Sequence, residues 1–167
     1  KNSLAVLAGA VTDDFSGVDA ANVKVEISYY VGASTSYWNG SSFVAGPPIP
    51  LAAAYVGGVS GTWSYTDANL PTAWVHARSY TLNVRSGDIS GNQEVGGSTV
   101  TFSYDVIVPT VNVTVPALPP GMLGPSAAFI VGNSTDFPAG ISALKLALSA
   151  NAGIDSWYDG GAFTGTG

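Results

Sequence analysis

The end of this chain repeats its beginning. Gly9-Ala10-Val11-Thr12-Asp13-Asp14-Phe15-Ser16-Gly17-Val18 returns as Gly132-Asn133-Ser134-Thr135-Asp136-Phe137-Pro138-Ala139-Gly140-Ile141. Lys24-Val25-Glu26-Ile27-Ser28 returns as Lys145-Leu146-Ala147-Leu148-Ser149, and Tyr37-Trp38-Asn39-Gly40-Ser41-Ser42-Phe43 returns as Trp157-Tyr158-Asp159-Gly160-Gly161-Ala162-Phe163. The three matches come in the same order and at nearly constant spacing. Self-similarity of this kind marks tandem copies of one folding unit. It confines the chain to a unit that recurs, and the second copy in this sequence is partial.

The unit reads as β-structure. Val23, Val25 and Ile27 alternate with Lys24, Glu26 and Ser28, and Tyr80, Leu82 and Val84 alternate with Thr81, Asn83 and Arg85. Alternation with one wet face belongs to antiparallel strands, and it leaves Glu26, like Glu94, expected in solvent. No segment sustains a helical period. Strands are expected at 4–11, 22–31, 35–39, 42–45, 49–55, 61–66, 78–86 and 98–105. Further strands are expected at 109–115, 126–132, 142–150 and 154–158. Residues 69–77 form either a loop or one helical turn. Many short strands at this spacing predict an all-β, antiparallel immunoglobulin-like β-sandwich: one nearly complete module followed by a partial second. Pro109 and Pro116 bracket a fresh strand. The expected boundary therefore gives residues 1–107 as a module lacking its first strand, and 108–167 as the N-terminal part of a second. The register mismatch between the copies suggests a window from a longer polypeptide, or a subunit completed by a neighbour's strand.

Composition narrows the function. Only 10% of the 167 residues are charged, against about 25% in ordinary soluble domains, and the net charge is −6. Five Lys and Arg make no basic stripe for nucleic acid or for an anionic membrane surface. There is no cysteine, which removes disulfides, thiolate catalysis and Cys-ligated zinc. No apolar run is long enough to insert across a membrane as a helix.

The pieces Asp13-Asp14-Phe15-Ser16-Gly17-Val18, Tyr37-Trp38-Asn39-Gly40, Thr62-Trp63-Ser64-Tyr65, Tyr80-Thr81-Leu82-Asn83-Val84-Arg85, Asp88-Ile89-Ser90-Gly91-Asn92 and Phe102-Ser103-Tyr104-Asp105 occur in this order. Together the series resembles the tandem immunoglobulin-like repeats of very large bacterial and archaeal surface proteins. The resemblance covers about residues 13–110 and restarts at 109. It departs at Ala139, which stands where the first copy has Ser16, and in the Ala- and Gly-rich segment 47–61. It implies a non-catalytic structural module of an adhesin stalk, surface layer or filament, secreted or on the cell surface. Its partners would be neighbouring repeats, other copies of itself, or a cell-surface or glycan target. The alternative is a carbohydrate-binding or spacer module of a secreted enzyme.

Three kinds of residue are candidates for binding or modification. Asp13, Asp14, Asp88 and Asp105 sit at turns and strand ends and are candidate calcium ligands, since calcium takes several carboxylate and carbonyl oxygens. Such residues also serve turns alone, by accepting backbone N–H bonds two residues on. Asn39, Asn112 and Asn133 each open an N-x-S/T acceptor pattern for N-glycosylation. Trp74, with no partner in the repeat, is the candidate for stacking on a sugar. Tyr80 occupies the expected place of a tyrosine corner, a structural role. His76 is the single histidine, and no nucleophile motif accompanies it, so no catalytic residue is assigned.

Overall fold

The computed structural model describes residues 4–116, 129–149, 157–158, 160 and 162–164. The chain forms two compact units, Lys1–Val108 with Asp136–Ala139, and Pro109–Thr135 with Gly140–Gly167. Its described residues are all-β except for short helical turns, and every ladder is antiparallel. Among them no helix is long and apolar enough to cross a membrane.

In the first unit the strands are β1 (Val6–Thr12), β2 (Lys24–Val31), β3 (Ser34–Trp38), β4 (Phe43–Ala45), β5 (Leu51–Ala52), β6 (Ala54–Gly57), β7 (Ser60–Thr66), β8 (Ser79–Arg85) and β9 (Ser98–Ser103). They make two sheets. One runs β1-β7-β6, and the other runs β4-β3-β2-β8-β9 with β5 paired to β2. Both sheets feed one core. Leu7, Trp63 and Tyr65 come from the first sheet, and Val25, Ile27, Trp38 and Tyr80 from the second. Each fully buried aliphatic side chain there contributes about 1.5–3 kcal/mol of burial free energy.

Local rules explain most elements. Asn39 closes the β3–β4 hairpin, its Oδ1 accepting from the N–H groups of Ser41 and Ser42 at 2.9 Å each. The segment expected as one strand over 49–55 is two. β5 pairs with β2 and β6 pairs with β7, and Ala53, whose N–H donates to Val23 O, marks the switch of sheets. Pro47, Pro48 and Pro50 lack the N–H groups that a continuous central strand needs. Residues 69–77 contain the helical turn α1 (Leu70–Ala73), opened by Pro71 in its first turn, where a missing N–H is harmless.

The polar face of β2 is only partly wet. Glu26, expected in solvent, is buried. The strand is central in its sheet, and the carboxylate pairs with the guanidinium of Arg85 on β8. Burial of this charge is tolerated because a partner stands beside it.

In the second unit β10 (Thr110–Val115) pairs with β11 (Val131–Thr135), and β12 (Trp157–Tyr158) pairs with β13 (Phe163–Thr164). The strand expected at 126–132 begins outside the described residues, and its described part leads into β11. Of the strand expected at 154–158, only Trp157 and Tyr158 are described. Of the strand expected at 142–150, residue 150 lies outside the described residues, and the described ones form no strand. Residues 142–148 carry no strand, and Ser149 makes a single bridge to Trp157. Its counterpart in the first copy, β2, lies between two partner strands. Apolar alternation without a partner leaves backbone groups unpaired and makes no ladder.

Candidate functional site

The Asp-x-x-Ser-Gly-Val element lies between β1 and β2 and is built around one carboxylate. Asp13 Oδ2 accepts from Gly17 N at 2.6 Å and from Phe15 N at 3.3 Å. Gly17 has φ = 90°, a left-handed conformation that glycine adopts without a Cβ penalty. Ser16 Oγ lies 2.8 Å from Asp88 Oδ2 and 3.2 Å from Asp13 Oδ2. Its single proton thus bridges two carboxylates from loops far apart in sequence. Asp88 in turn accepts from Asn92 N at 2.7 Å and Asn92 Nδ2 at 2.6 Å. Backbone bonds from Val18 N to Gly58 O and from Ile89 N to Gly17 O complete the clamp. The Gly17 N–H, more than any other group, holds the Asp13 carboxyl below its ordinary pKa, and the Asn92 side chain does the same for Asp88.

The four candidate calcium ligands therefore do not form one set. Asp13 and Asp88 meet through Ser16. Asp14 is exposed beside them. Asp105 is elsewhere in the unit: its Oδ1 lies 3.2 Å from His76 Nδ1 and accepts from Ile107 N, and its Oδ2 accepts from Ala139 N at 3.0 Å. Desolvation pushes the Asp105 carboxyl up. The N–H groups of Ala139 and Ile107, with His76 nearby, outweigh it and leave the pKa lowered. Among the described residues no group of three His, Asp or Glu side chains converges as a metal site. The observed arrangement is turn and loop chemistry, with N–H and O–H donors on the carboxylate oxygens.

Trp74 is not a surface platform. It is 6% exposed, its Nε1 donates to Leu4 O at 2.9 Å, and its ring meets Tyr80 edge-on with centroids 4.6 Å apart. It follows α1 directly, and the end of that turn points the indole inward. Tyr80, fully buried, accepts from Val75 N at 2.8 Å through its hydroxyl. The same ring packs on Phe43, Phe102 and Tyr29. A second buried network, unforeseen from the sequence, joins the sheets. Trp38 Nε1 donates to Tyr65 Oη at 3.1 Å, and Tyr65 Oη donates to Asp67 Oδ2 at 3.1 Å. Tyr65 and Asp67 stand two apart at the end of β7, and that spacing was the available signal.

Asn39, Asn112 and Asn133 are all exposed. Asn39 is engaged through Oδ1 in its hairpin, while Asn112 and Asn133 face each other across the β10–β11 ladder.

The first unit also contains a groove of about 740 Å³ between β1 and the β8–β9 side of the second sheet. Its apolar lining comes from Val11, Val18, Val23, Leu82, Val84 and Val100, and Asp88, Asn92 and Glu94 rim it.

No family model, no curated protein and no solved structure matches this chain.

Proposed function

We propose that the chain is a non-catalytic, immunoglobulin-like structural repeat of a large extracellular surface protein. The observation that carries this reading is strand order. The sheets β1-β7-β6 and β4-β3-β2-β8-β9 have the order of an immunoglobulin variable-type sandwich without its first strand: strands B, E and D in one sheet, and C″, C′, C, F and G in the other. Tyr80, second in β8 and bonded to Val75 N–H upstream, occupies the tyrosine-corner position of strand F in that scheme. In the second copy β10 and β11 pair as strands A and B would, which supports tandem modules. The Asp13–Ser16–Asp88 clamp ties two loops together, a mechanical role suited to a stalk or filament. Calcium is no longer needed to account for these carboxylates.

The carbohydrate-binding alternative loses its principal residue, because Trp74 is buried. The array reading is tested by single-molecule pulling. The 108-residue segment of the first unit is expected to unfold in one cooperative step, releasing roughly 350 Å of chain at about 3.3–3.6 Å per residue. Stepwise, low-force yielding, or specific retention of the chain on polysaccharide gels, refutes it.

A further inference from the structure

Asn39-Gly40 is the one Asn-Gly step in the sequence. It sits in the β3–β4 hairpin, with Asn39 exposed. The hairpin shares its hydrogen bonds unevenly over the polar atoms of this step. Asn39 Oδ1 accepts three, from Ser41 N and Ser42 N at 2.9 Å each and from Ser41 Oγ at 3.0 Å. Among the described residues, no acceptor stands on Asn39 Nδ2 or on the Gly40 N–H. Other asparagines have the amide nitrogen held. Asn22 Nδ2 donates to Asp19 Oδ2, Asn69 Nδ2 to Gly40 O, Asn83 Nδ2 to Gly96 O and Asn92 Nδ2 to Asp88 Oδ2. Asn112 and Asn133 lie within the β10–β11 ladder and precede Val113 and Ser134, not glycine.

This arrangement suits one reaction, the attack of a backbone nitrogen on the side-chain amide of the residue before it. The Ser41 N–H closes a turn on Asn39 Oδ1, and the ring of atoms it closes contains both Asn39 Cγ and Gly40 N. Nucleophile and electrophilic carbon are thus confined together, which removes part of the entropic barrier. Gly40 has φ = 95°, and without a Cβ no side chain shields its nitrogen. Negative charge develops on Oδ1 as the tetrahedral centre forms, and three donors already point at that oxygen. Nδ2, the leaving group, belongs to an exposed residue and is tied to no other described group.

We propose that Asn39 is a self-modifying site, which cyclises onto Gly40 N and loses its amide as ammonia. Gly40 N gives its proton to water and bonds to Asn39 Cγ. The Cγ–Nδ2 bond breaks, and the nitrogen leaves as ammonia with a proton taken from water. A second water then opens the succinimide. Cleavage of the new N–Cγ bond leaves aspartate at position 39, and cleavage of the bond from Gly40 N to the main-chain carbon leaves isoaspartate. The net change is one water consumed, one ammonia released and one negative charge gained. The repeat already carries an acid at this place, since Asn39-Gly40 returns in the second copy as Asp159-Gly160. An aspartate also keeps the acceptor oxygen that closes the hairpin. The site stands whether or not the array reading does, because it rests on the hairpin alone.

The test incubates the intact chain in neutral buffer made with heavy-oxygen water, beside a peptide of residues 35–44. Peptide mapping by mass spectrometry reads labelled product at position 39, and methylation by an isoaspartyl methyltransferase reads the isoaspartate fraction. Asn39 of the folded chain is expected to convert at least about tenfold faster than in the peptide. That is below the roughly 10²–10³ that one donor contributes in a buried oxyanion hole, because this turn is open to water. Isoaspartate should appear, Asn83 and Asn92 should stay unconverted over the same period, and Asn39→Gln should abolish the methyl-accepting product. Circular dichroism verifies that the chain and the variant are folded. Conversion no faster than in the peptide, product free of isoaspartate, or equal conversion at Asn83 or Asn92 overturns the proposal.

Discussion

Tyr80→Phe isolates one hydrogen bond in the middle of the aromatic core. The change keeps the ring, and with it the edge-on contact to Trp74 at 4.6 Å and the stacking on Phe102 at 5.8 Å. It removes only the oxygen that accepts from Val75 N at 2.8 Å. The backbone N–H then loses its partner, in a segment held by few other bonds. Leaving such a group unsatisfied costs about 1–3 kcal/mol when buried. Val75 is itself 44% exposed, so water can reach the segment and the lower part of the range, about 1–2 kcal/mol, is expected.

The magnitude converts into a melting temperature. At about 2.1 cal/mol/K per residue, the 108-residue segment has an unfolding entropy near 0.23 kcal/mol/K. The variant should therefore melt roughly 4–9 °C below the parent by differential scanning calorimetry. Tyr80→Ala, which also empties the ring site, should cost about 3–5 kcal/mol. A Tyr80→Phe variant that melts with the parent refutes the role given to the hydroxyl. One that falls as far as Tyr80→Ala refutes the division between hydroxyl and ring.

Trp74→Ala is expected to lower stability by about 3–5 kcal/mol in urea titration, as a core truncation does; an unchanged midpoint would return Trp74 to the surface. Asp13, Asp88 and Asp105 all have lowered pKa values in the folded chain, relative to 3.8. Their contribution is complete above that value and is lost as pH falls through the lower folded values, so urea midpoints should drop below about pH 4. Replacing Asp13 and Asp88 by Asn should flatten that drop. Ala77 has φ = 61°, which costs a non-glycine residue about 1–2 kcal/mol. After the flexibility that glycine adds to the unfolded chain, Ala77→Gly should gain roughly 0.5–1 kcal/mol, and a loss of stability would contradict the strain.

Much of the first unit was legible because its strands announce their own faces. Val23, Val25 and Ile27 alternate with polar neighbours, and all three are fully buried. Tyr80 could be placed from its position at the head of an alternating strand. The Asp13 turn was also legible, since Asp, Ser and Gly at this spacing have few other uses. What the sequence hid is whatever depends on a distant segment. Glu26 reads as solvent-facing until Arg85 is brought beside it. Trp74 reads as a free aromatic until the two sheets enclose it. Asp88 reads as a local turn residue, and only the fold carries it to Ser16.

The two copies sharpen the distinction between local pattern and partner. Lys24–Ser28 and Lys145–Ser149 have similar alternation, yet only the first is a strand. The first has β3 and β8 on its two sides, and each ladder bond satisfies a backbone group that would otherwise need water. The second makes one bridge, from Ser149 to Trp157, and is otherwise irregular, with Leu144 and Leu146 exposed. Alternation thus specifies which face a strand will bury, and a paired neighbour decides whether the strand exists.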